Sequence, residues 1–307
     1  MPAQNPWTTA GVANILTPGC AVGDVFYVDG ENGSDSVLNA GVDPASPLLT
    51  ITRALELCTD DENDVVIVLN YPEAAPPAGE ATPIAVNKNR VHLLGAAYPY
   101  AQGDMKAYVD CPPGAAAAVF LVSARWVEIA YFKIGGGATF GGIELTGAIE
   151  TKGLSVHHCQ FAEKVNAAGP PTYGIDCTEV NCGNWMYVGD CTFYPAISSH
   201  AITINNAANP RIIGNHFVCV GGNGVYLGQG ASGYGAITDN YFAIDADGAV
   251  GKAIFIDVGG TYGFLVANNM ANEGITDMGS NPFWDVDAGA PKNAWMGNYL
   301  GITPTQP

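Results

Sequence analysis

The chain has 307 residues, 48% of them hydrophobic and 13% charged, with 39 Gly and 20 Pro. Lys and Arg total 11 against 29 Asp and Glu, a formal net charge of −18. With no basic cluster to offset it, this balance excludes nucleic-acid binding and docking to an anionic membrane. Many turn formers and few charges predict short strands in place of long amphipathic helices.

Residues 1–24 form an apolar, Pro-punctuated arm, "MPAQNPWTTAGVANILTPGCAVGD", without the basic n-region and apolar h-region of a signal peptide. No apolar run in the chain is long enough to span a bilayer. Residues 25–63 are expected to open with a strand, "VFYVD", and continue through a turn-rich excursion. A short helix comes next, capped near Thr50, with Ile51, Ala54, Leu55 and Cys58 on one face. An amphipathic helix there would cover the open end of a coil built from residues 64–307. In that part "DVVIVLN" (64–70) reads as a first-rung strand, "YPEAAPPAGEATP" (71–83) as a loop, and "PIAVNKNRVHLLG" (83–95) as resumed strands.

From there the chain repeats one phrase, apolar–x–x–Asn–x–Phe. Anchored on the Asn position, one column reads Phe132, Cys159, Cys191, Asn215, Asn240, Asn268 and Asn298, at spacings of 27, 32, 24, 25, 28 and 30. Two residues later stand Ile134, Phe161, Phe193, Phe217, Phe242, Met270 and Leu300; three residues earlier stand Ile129, Val156, Val188, Ile212, Ile237, Leu265 and Trp295. Between the phrases lie "GIELT" (142–146), "GIDCT" (174–178), "AITIN" (201–205), "GVYLG" (224–228) and "AIFID" (253–257), which alternate as strands with one buried face. Two short strands per ~25 residues with variable insertions predict a coil that adds one rung per repeat. Rungs ~4.8 Å apart stack like on like: Asn at an inward bend bonds its neighbours above and below, and Phe builds an aromatic spine.

The segment "YVDGENGSDS…SPLLTITRAL", followed by the N-x-F rungs, resembles the right-handed parallel β-helix proteins of the pectate-lyase-like superfamily. It is most similar to the branch found in bacteriophage tail spikes and virion surface proteins. The resemblance covers roughly residues 25–300 and implies an all-β solenoid of about eight to nine rungs with a short N-terminal capping helix. It is weak for activity, since the superfamily holds lyases, hydrolases, epimerases and proteins without catalysis. The Asn-x-Asp, Asp-Asp, Gly-His-Gly and Arg-x-Lys signatures of the polygalacturonase-like relatives are missing. Arginine occurs only at Arg53, Arg90, Arg125 and Arg211, which leaves little for a lyase base.

Stacking supplies the catalytic candidates. The outward third position of the second strand reads Glu144, Asp176, Thr203, Tyr226 and Phe255. Glu144 and Asp176 are expected on adjacent rungs roughly 5 Å apart, the carboxylate spacing of a retaining glycosidase. Thr203, Tyr226 and Phe255 would continue the track as a sugar-binding platform. The alternative is a solvated or subunit-packed face where two acids happen to be neighbours.

No cofactor is required. Calcium is kept open by the paired Asp of "FAIDADG" (242–248) and "FWDVDAG" (283–289), although Asp and Gly are also ordinary turn residues. "DGENGSD" (29–35) is read as a turn, and His157 with His158 as an isolated pair without a metal cluster. The eight cysteines (Cys20, Cys58, Cys111, Cys159, Cys177, Cys182, Cys191, Cys219) match no zinc spacing and read as buried free thiols.

The resulting expectation is a structural protein of the phage virion surface, a capsid decoration or short tail-spike-like protein. It would be made in the host cytoplasm without a signal peptide and displayed as a homotrimer. Its anchor would be residues 1–24 on capsid or tail proteins, and host-surface polysaccharide is its candidate ligand. The alternative is a polysaccharide-degrading β-helix enzyme, a glycoside hydrolase or lyase.

Overall fold

The computed structural model describes residues 23–72, 76–96, 107–110, 118–135, 141–147, 151–161, 172–179, 182–193, 197–205, 207–218, 222–228, 233–243, 251–257, 263–272, 283–285, 293–300 and 303–304. The expected arm at residues 1–24 lies almost wholly outside them. The remainder is a parallel β-helix bounded by three sheets of ten, nine and eight strands. Sheet 1 runs from β1 (Val25–Asp29) and β2 (Val65–Asn70) to Ala294–Met296, and sheet 3 from Ile84–Val86 to Phe283–Asp285. Sheet 2 runs from Tyr108–Val109 to Tyr299–Leu300, where Thr303–Pro304 adds an antiparallel pairing.

A single coil shows how the repeat folds: Arg211–Ile213 lies in sheet 1, His216–Val218 in sheet 2 and Val225–Leu227 in sheet 3. The repeat therefore holds three strands where two were expected. The phrase around each Asn bends, its first half belonging to sheet 1 and its second to sheet 2. The bend is made by the residue before that column, which takes a positive φ: Asp190 (52°) before Cys191, and Gly214 (70°), Asp239 (59°) and Asn268 (56°) before the Asn of their coils.

Asn215, Asn240, Asn269 and Asn298 are all but fully buried at the bend and form a ladder. The amide nitrogens of Asn215, Asn240 and Asn269 donate to the next Oδ1 at 2.9–3.0 Å, and all four donate to a backbone carbonyl of the preceding coil, as Asn240 Nδ2 does to Ile212 O at 3.0 Å. Each Oδ1 also accepts the backbone N–H one rung back, Asn215 N to Asn240 Oδ1 at 2.9 Å. In the same column Cys159 and Cys191 are free thiols, and their Sγ atoms donate to Ile129 O and Val156 O as the amides do elsewhere. Burial pushes the Cys191 thiol up in pKa. Phe161, Phe193, Phe217 and Phe242 stack at 4.6, 4.8 and 4.6 Å with planes within 6°.

One coil departs from the expected register. Ile237 pairs with Val266, not Leu265, and Phe242 with Ala271, not Met270. The ladder residue is accordingly Asn269, not Asn268. A one-residue slip turns every side chain to the other face, and Leu265 and Met270 are indeed exposed at 39% and 43%.

The helix α1 (Ile51–Leu57) closes the N-terminal end. Thr50 Oγ1 accepts from Arg53 N at 3.0 Å, and Ile51, Ala54, Leu55 and Cys58 are buried against the strands of the first coils. Its remaining orphan amides are met from outside the helix. Glu80 accepts from Ile51 N and Thr52 N at 2.8 and 2.9 Å, and Asp35 accepts from Leu49 N and Thr50 Oγ1 at 2.8 and 2.7 Å. The "DGENGSD" segment is the turn expected, Asp29 Oδ1 accepting from Glu31 N and Asn32 N at 3.0 Å.

His157 and His158 are not the isolated pair expected. Glu128, one rung back on the outward face of sheet 1, accepts from His157 Nε2 at 2.7 Å and pairs with His92 Nδ1 at 2.6 Å; the Nδ1 atoms of His157 and His158 lie 2.9 Å apart. Burial alone would raise the Glu128 carboxyl, but the hydrogen bonds and charge of the two imidazoles outweigh it and hold the pKa at about 2. Among the described residues no group of three or more His, Cys, Asp or Glu is arranged to hold a metal ion.

These networks set two stability outcomes. Asn240→Ala strips partners from Asn215 N, Asn215 Nδ2 and Ile212 O. It should cost at least ~2 kcal/mol, read as a lower urea midpoint. Glu128→Gln should be less stable than the parent at pH 7. Because the folded-state value of Glu128 lies below the unfolded one of ~4.3, its contribution is complete above that pH and fades as pH falls toward 2. Thermal melts should therefore show the gap narrowing below pH ~4.3.

Candidate functional site

The outward face of sheet 3 carries the residues singled out from the sequence, in the expected register. Glu144 pairs with Asp176, Asp176 with Thr203, Thr203 with Tyr226 and Tyr226 with Phe255. Their position comes from alternation: the residues on either side of each, such as Ile175 and Cys177 around Asp176, are fully buried. Burial of the flanking pair fixes the middle residue outward.

Two further columns flank this row and were not foreseen. Two residues before each buried Ile or Val come Gly141, Tyr173, His200, Asn223 and Lys252; two residues after each row position come Thr146, Thr178, Asn205, Gly228 and Asp257. The first column contributes Tyr173, whose hydroxyl donates to Glu144 Oε2 at 3.2 Å. Gly141 makes room for it, since a Cβ there would sit 2.1 Å from the Tyr173 ring. The only sequence signal for these columns was their constant offset from the strand, and their types vary too much to be seen as a motif.

Glu144 and Asp176 occupy adjacent rungs, ~4.8 Å apart along the coil. Burial pushes the Asp176 carboxyl up to about 6, its bond to Thr178 opposes the shift, and the nearby Glu144 and Glu179 add to it. Asp176 Oδ1 is buried without a hydrogen-bond partner. Asp176 is thus poised as a proton donor near neutrality, and the Tyr173 hydroxyl hydrogen-bonds the facing Glu144 carboxylate. This is the division of labour that two neighbouring carboxyl groups need for acid and nucleophile roles.

The aromatic residues sit where expected but offer a different surface. Tyr226 lies between His200, at 4.6 Å and 13°, and Phe255, at 5.6 Å and 9°. These rings come from the rungs below and above, so both faces of Tyr226 are covered. A ligand meets ring edges, not a stacking platform. The Tyr226 hydroxyl donates to Asp257 Oδ2 at 2.7 Å, and its pKa is pushed up to about 12 by burial and that carboxylate. His200 Nδ1 accepts from Asn223 N at 3.1 Å, and burial lowers its pKa.

Cations are sparse here. Arg211 stands on sheet 1, and Lys252, level with Phe255, is the one described Lys or Arg in the three columns. The acidic loops add little: Asp245, Asp247 and Asp287 lie outside the described residues, and Asp285 accepts from Asn293 Nδ2 and Trp295 Nε1 at 3.0 and 3.2 Å.

No protein-family profile and no curated protein sequence matches the chain. Among solved structures it is similar to a rhamnogalacturonan lyase, with 15% identity and a TM-score of 0.52 over 81% of this chain and 68% of that one. A GH136 lacto-N-biosidase from Eubacterium ramulus, as its selenomethionine derivative, shares 10% identity over 91% of this chain and 68% of that one, with a TM-score of 0.42. At 15% identity the likeness to the lyase is one of fold alone.

Proposed function

We propose that the chain is a carbohydrate-active β-helix protein that hydrolyses glycosidic bonds at the outward face of sheet 3. The observation that carries this reading is the register pairing of Glu144 with an Asp176 held near pKa 6. It places the enzymatic alternative ahead of the purely structural role expected from sequence, because a merely solvated face gives no reason to bury and orphan one acid beside another. In the proposed reaction Glu144 attacks the anomeric carbon while Asp176 gives its proton to the departing glycosidic oxygen. Water then attacks the glycosyl ester, losing its proton to Asp176 and freeing Glu144. A spacing of one rung suits this retaining course, since an inverting pair needs room for a water between the carboxyls.

Rhamnogalacturonan lyase acts, by its name, on a polysaccharide, and the shared fold is compatible with such a substrate class. Elimination chemistry fits this face less well than hydrolysis, because a lyase needs a cation to offset the uronate charge, and among the described residues no Lys or Arg acts on the Asp176 carboxyl. Display on a phage particle, as a homotrimer held through residues 1–24, remains the proposed setting and rests on the N-terminal resemblance.

The test is release of reducing ends from polysaccharides. Glu144→Gln and Asp176→Asn should each lower the rate by ~10²–10⁴-fold. In the parent, kcat/KM should fall as pH rises through about 6, where Asp176 loses its proton. The folded-state value of Asp176 lies above its unfolded one, so its ionisation opposes folding at pH 7 and above. Asp176→Asn should therefore melt higher than the parent at pH 8 while being inactive. Full activity in both variants would refute the assignment.

A further inference from the structure

The chemistry of the face selects a class of glycan, an inference that rests on the reading just given. We propose that the ligand is an uncharged, polyhydroxylated glycan laid along the coil axis across Tyr173, Asp176, Asn205 and Tyr226, and that polyuronates are excluded.

Direction comes from the ladder itself. The functional row climbs one rung, ~4.8 Å, per residue, close to the advance of one sugar ring in an extended glycan. A chain along the axis therefore presents successive sugars to Glu144, Asp176, Thr203 and Tyr226, whereas a chain across it would meet one row position only. Cleavage beside Asp176 then leaves Tyr226 two sugars away, with Phe255 one further.

Charge comes from the three columns. Glu144 and Asp176 stand in the row, Glu179 is close enough to raise the Asp176 carboxyl, and Asp257 holds Tyr226. Lys252 is the one described Lys or Arg among them, three rungs from Asp176. A polyuronate would set a carboxylate against these acids at three of the five rungs. Each like-charge pair ~5 Å apart weakens binding by about fourfold even in water, and by more where the face is partly dry. The whole chain, at −18, adds to the repulsion.

Hydrogen-bonding capacity points the same way. Asp176 Oδ1 and Asn205 Oδ1, on adjacent rungs, are acceptors without partners. Neither side chain is fully buried, so rotation of the end group can present its polar atoms to a ligand. The hydroxyls of a neutral sugar are donors and satisfy them; the carboxylate of a uronate is an acceptor and cannot. The edge of Tyr226 and the hydroxyl of Thr203 serve the same kind of partner. The specificity residue assigned here is Asn205, which a merely structural reading leaves with nothing to do.

The test uses the full chain, with Asp176→Asn as a non-cleaving binder. Affinity electrophoresis would be run against a mixed-linkage β-glucan, a galactomannan, an arabinoxylan and chitin oligosaccharides, with polygalacturonate in parallel at low and high salt. Binding to at least one neutral glycan and none to polygalacturonate at low salt is expected. Asn205→Ala should weaken neutral-glycan binding about tenfold without lowering Tm, because it removes an oxygen that bonds nothing in the folded chain. Cleavage or binding of polygalacturonate as strong as that of the neutral glycans would overturn the proposed class while leaving the catalytic reading intact. Failure of every polysaccharide, charged or neutral, to be bound or cleaved would instead sink the catalytic reading itself. An Asn205→Ala variant that binds as the parent does, or that melts lower, would remove Asn205 from the site.

Discussion

In-register parallel stacking governs everything else in this molecule. Once a strand lies ~4.8 Å above its predecessor with identical facing, each side chain meets the same column position of the coils above and below. A polar residue inside the coil is then tolerable only if its column neighbours can bond it, and an aromatic residue only if they can stack with it. Asn215 through Asn298 meet the first condition and Phe161 through Phe242 the second. Burying an amide is expensive when one partner is missing, so the ladder makes register a matter of several hydrogen bonds per coil and not of apolar contact alone.

Stacking also explains where strain is accepted. The turn that leads into sheet 1 repeats one backbone pattern: Arg90 N bonds Arg125 O, Trp126 N bonds Lys152 O, Gly153 N bonds Asn184 O and Trp185 N bonds Ala208 O. Arg90, Trp126, Gly153 and Trp185 all have φ between 57° and 70°, a conformation that costs a bulky residue ~1–2 kcal/mol. Two tryptophans are kept there because they stack on each other at 6.0 Å across Gly153. A Cβ at Gly153 would lie 2.1 Å from the Trp126 ring, so the glycine serves the packing of its neighbours as much as its own backbone.

How much of this was legible in the sequence depends on whether a residue acts through its own column. Ile212, Ile237 and the Phe spine were readable because each repeats at a fixed offset, and the same logic placed Glu144 beside Asp176. The slip at residues 265–271 came from "VANNM", where two consecutive Asn fit the anchor equally well. The first takes the left-handed corner that Asp190, Gly214, Asp239 and Gly297 fill in other coils, and the second joins the ladder. Pattern alone did not separate them, whereas the hydrogen-bond geometry does. Glu128 was missed for a different reason: it meets His157 diagonally, one rung down and two residues along, so no column contains both. Tyr173 and His200 come from segments that precede the strands, where insertions blur alignment. The covering of Tyr226 by His200 was hidden for the same reason.

The division between inside and outside shapes what a site can be on such a scaffold. Inward columns are fixed by packing, so two neighbouring coils can each turn an acid outward at no cost to the core. No contiguous motif need record it. What distinguishes Asp176 from an incidental surface acid is the company it keeps: a buried oxygen without a partner and two acids within reach, Glu144 and Glu179. A stability-optimised coil would place Asn or Thr there, as the next rung does with Thr203. A carboxyl that weakens the fold when ionised, on a face otherwise free to vary, fits a group retained for the proton it holds.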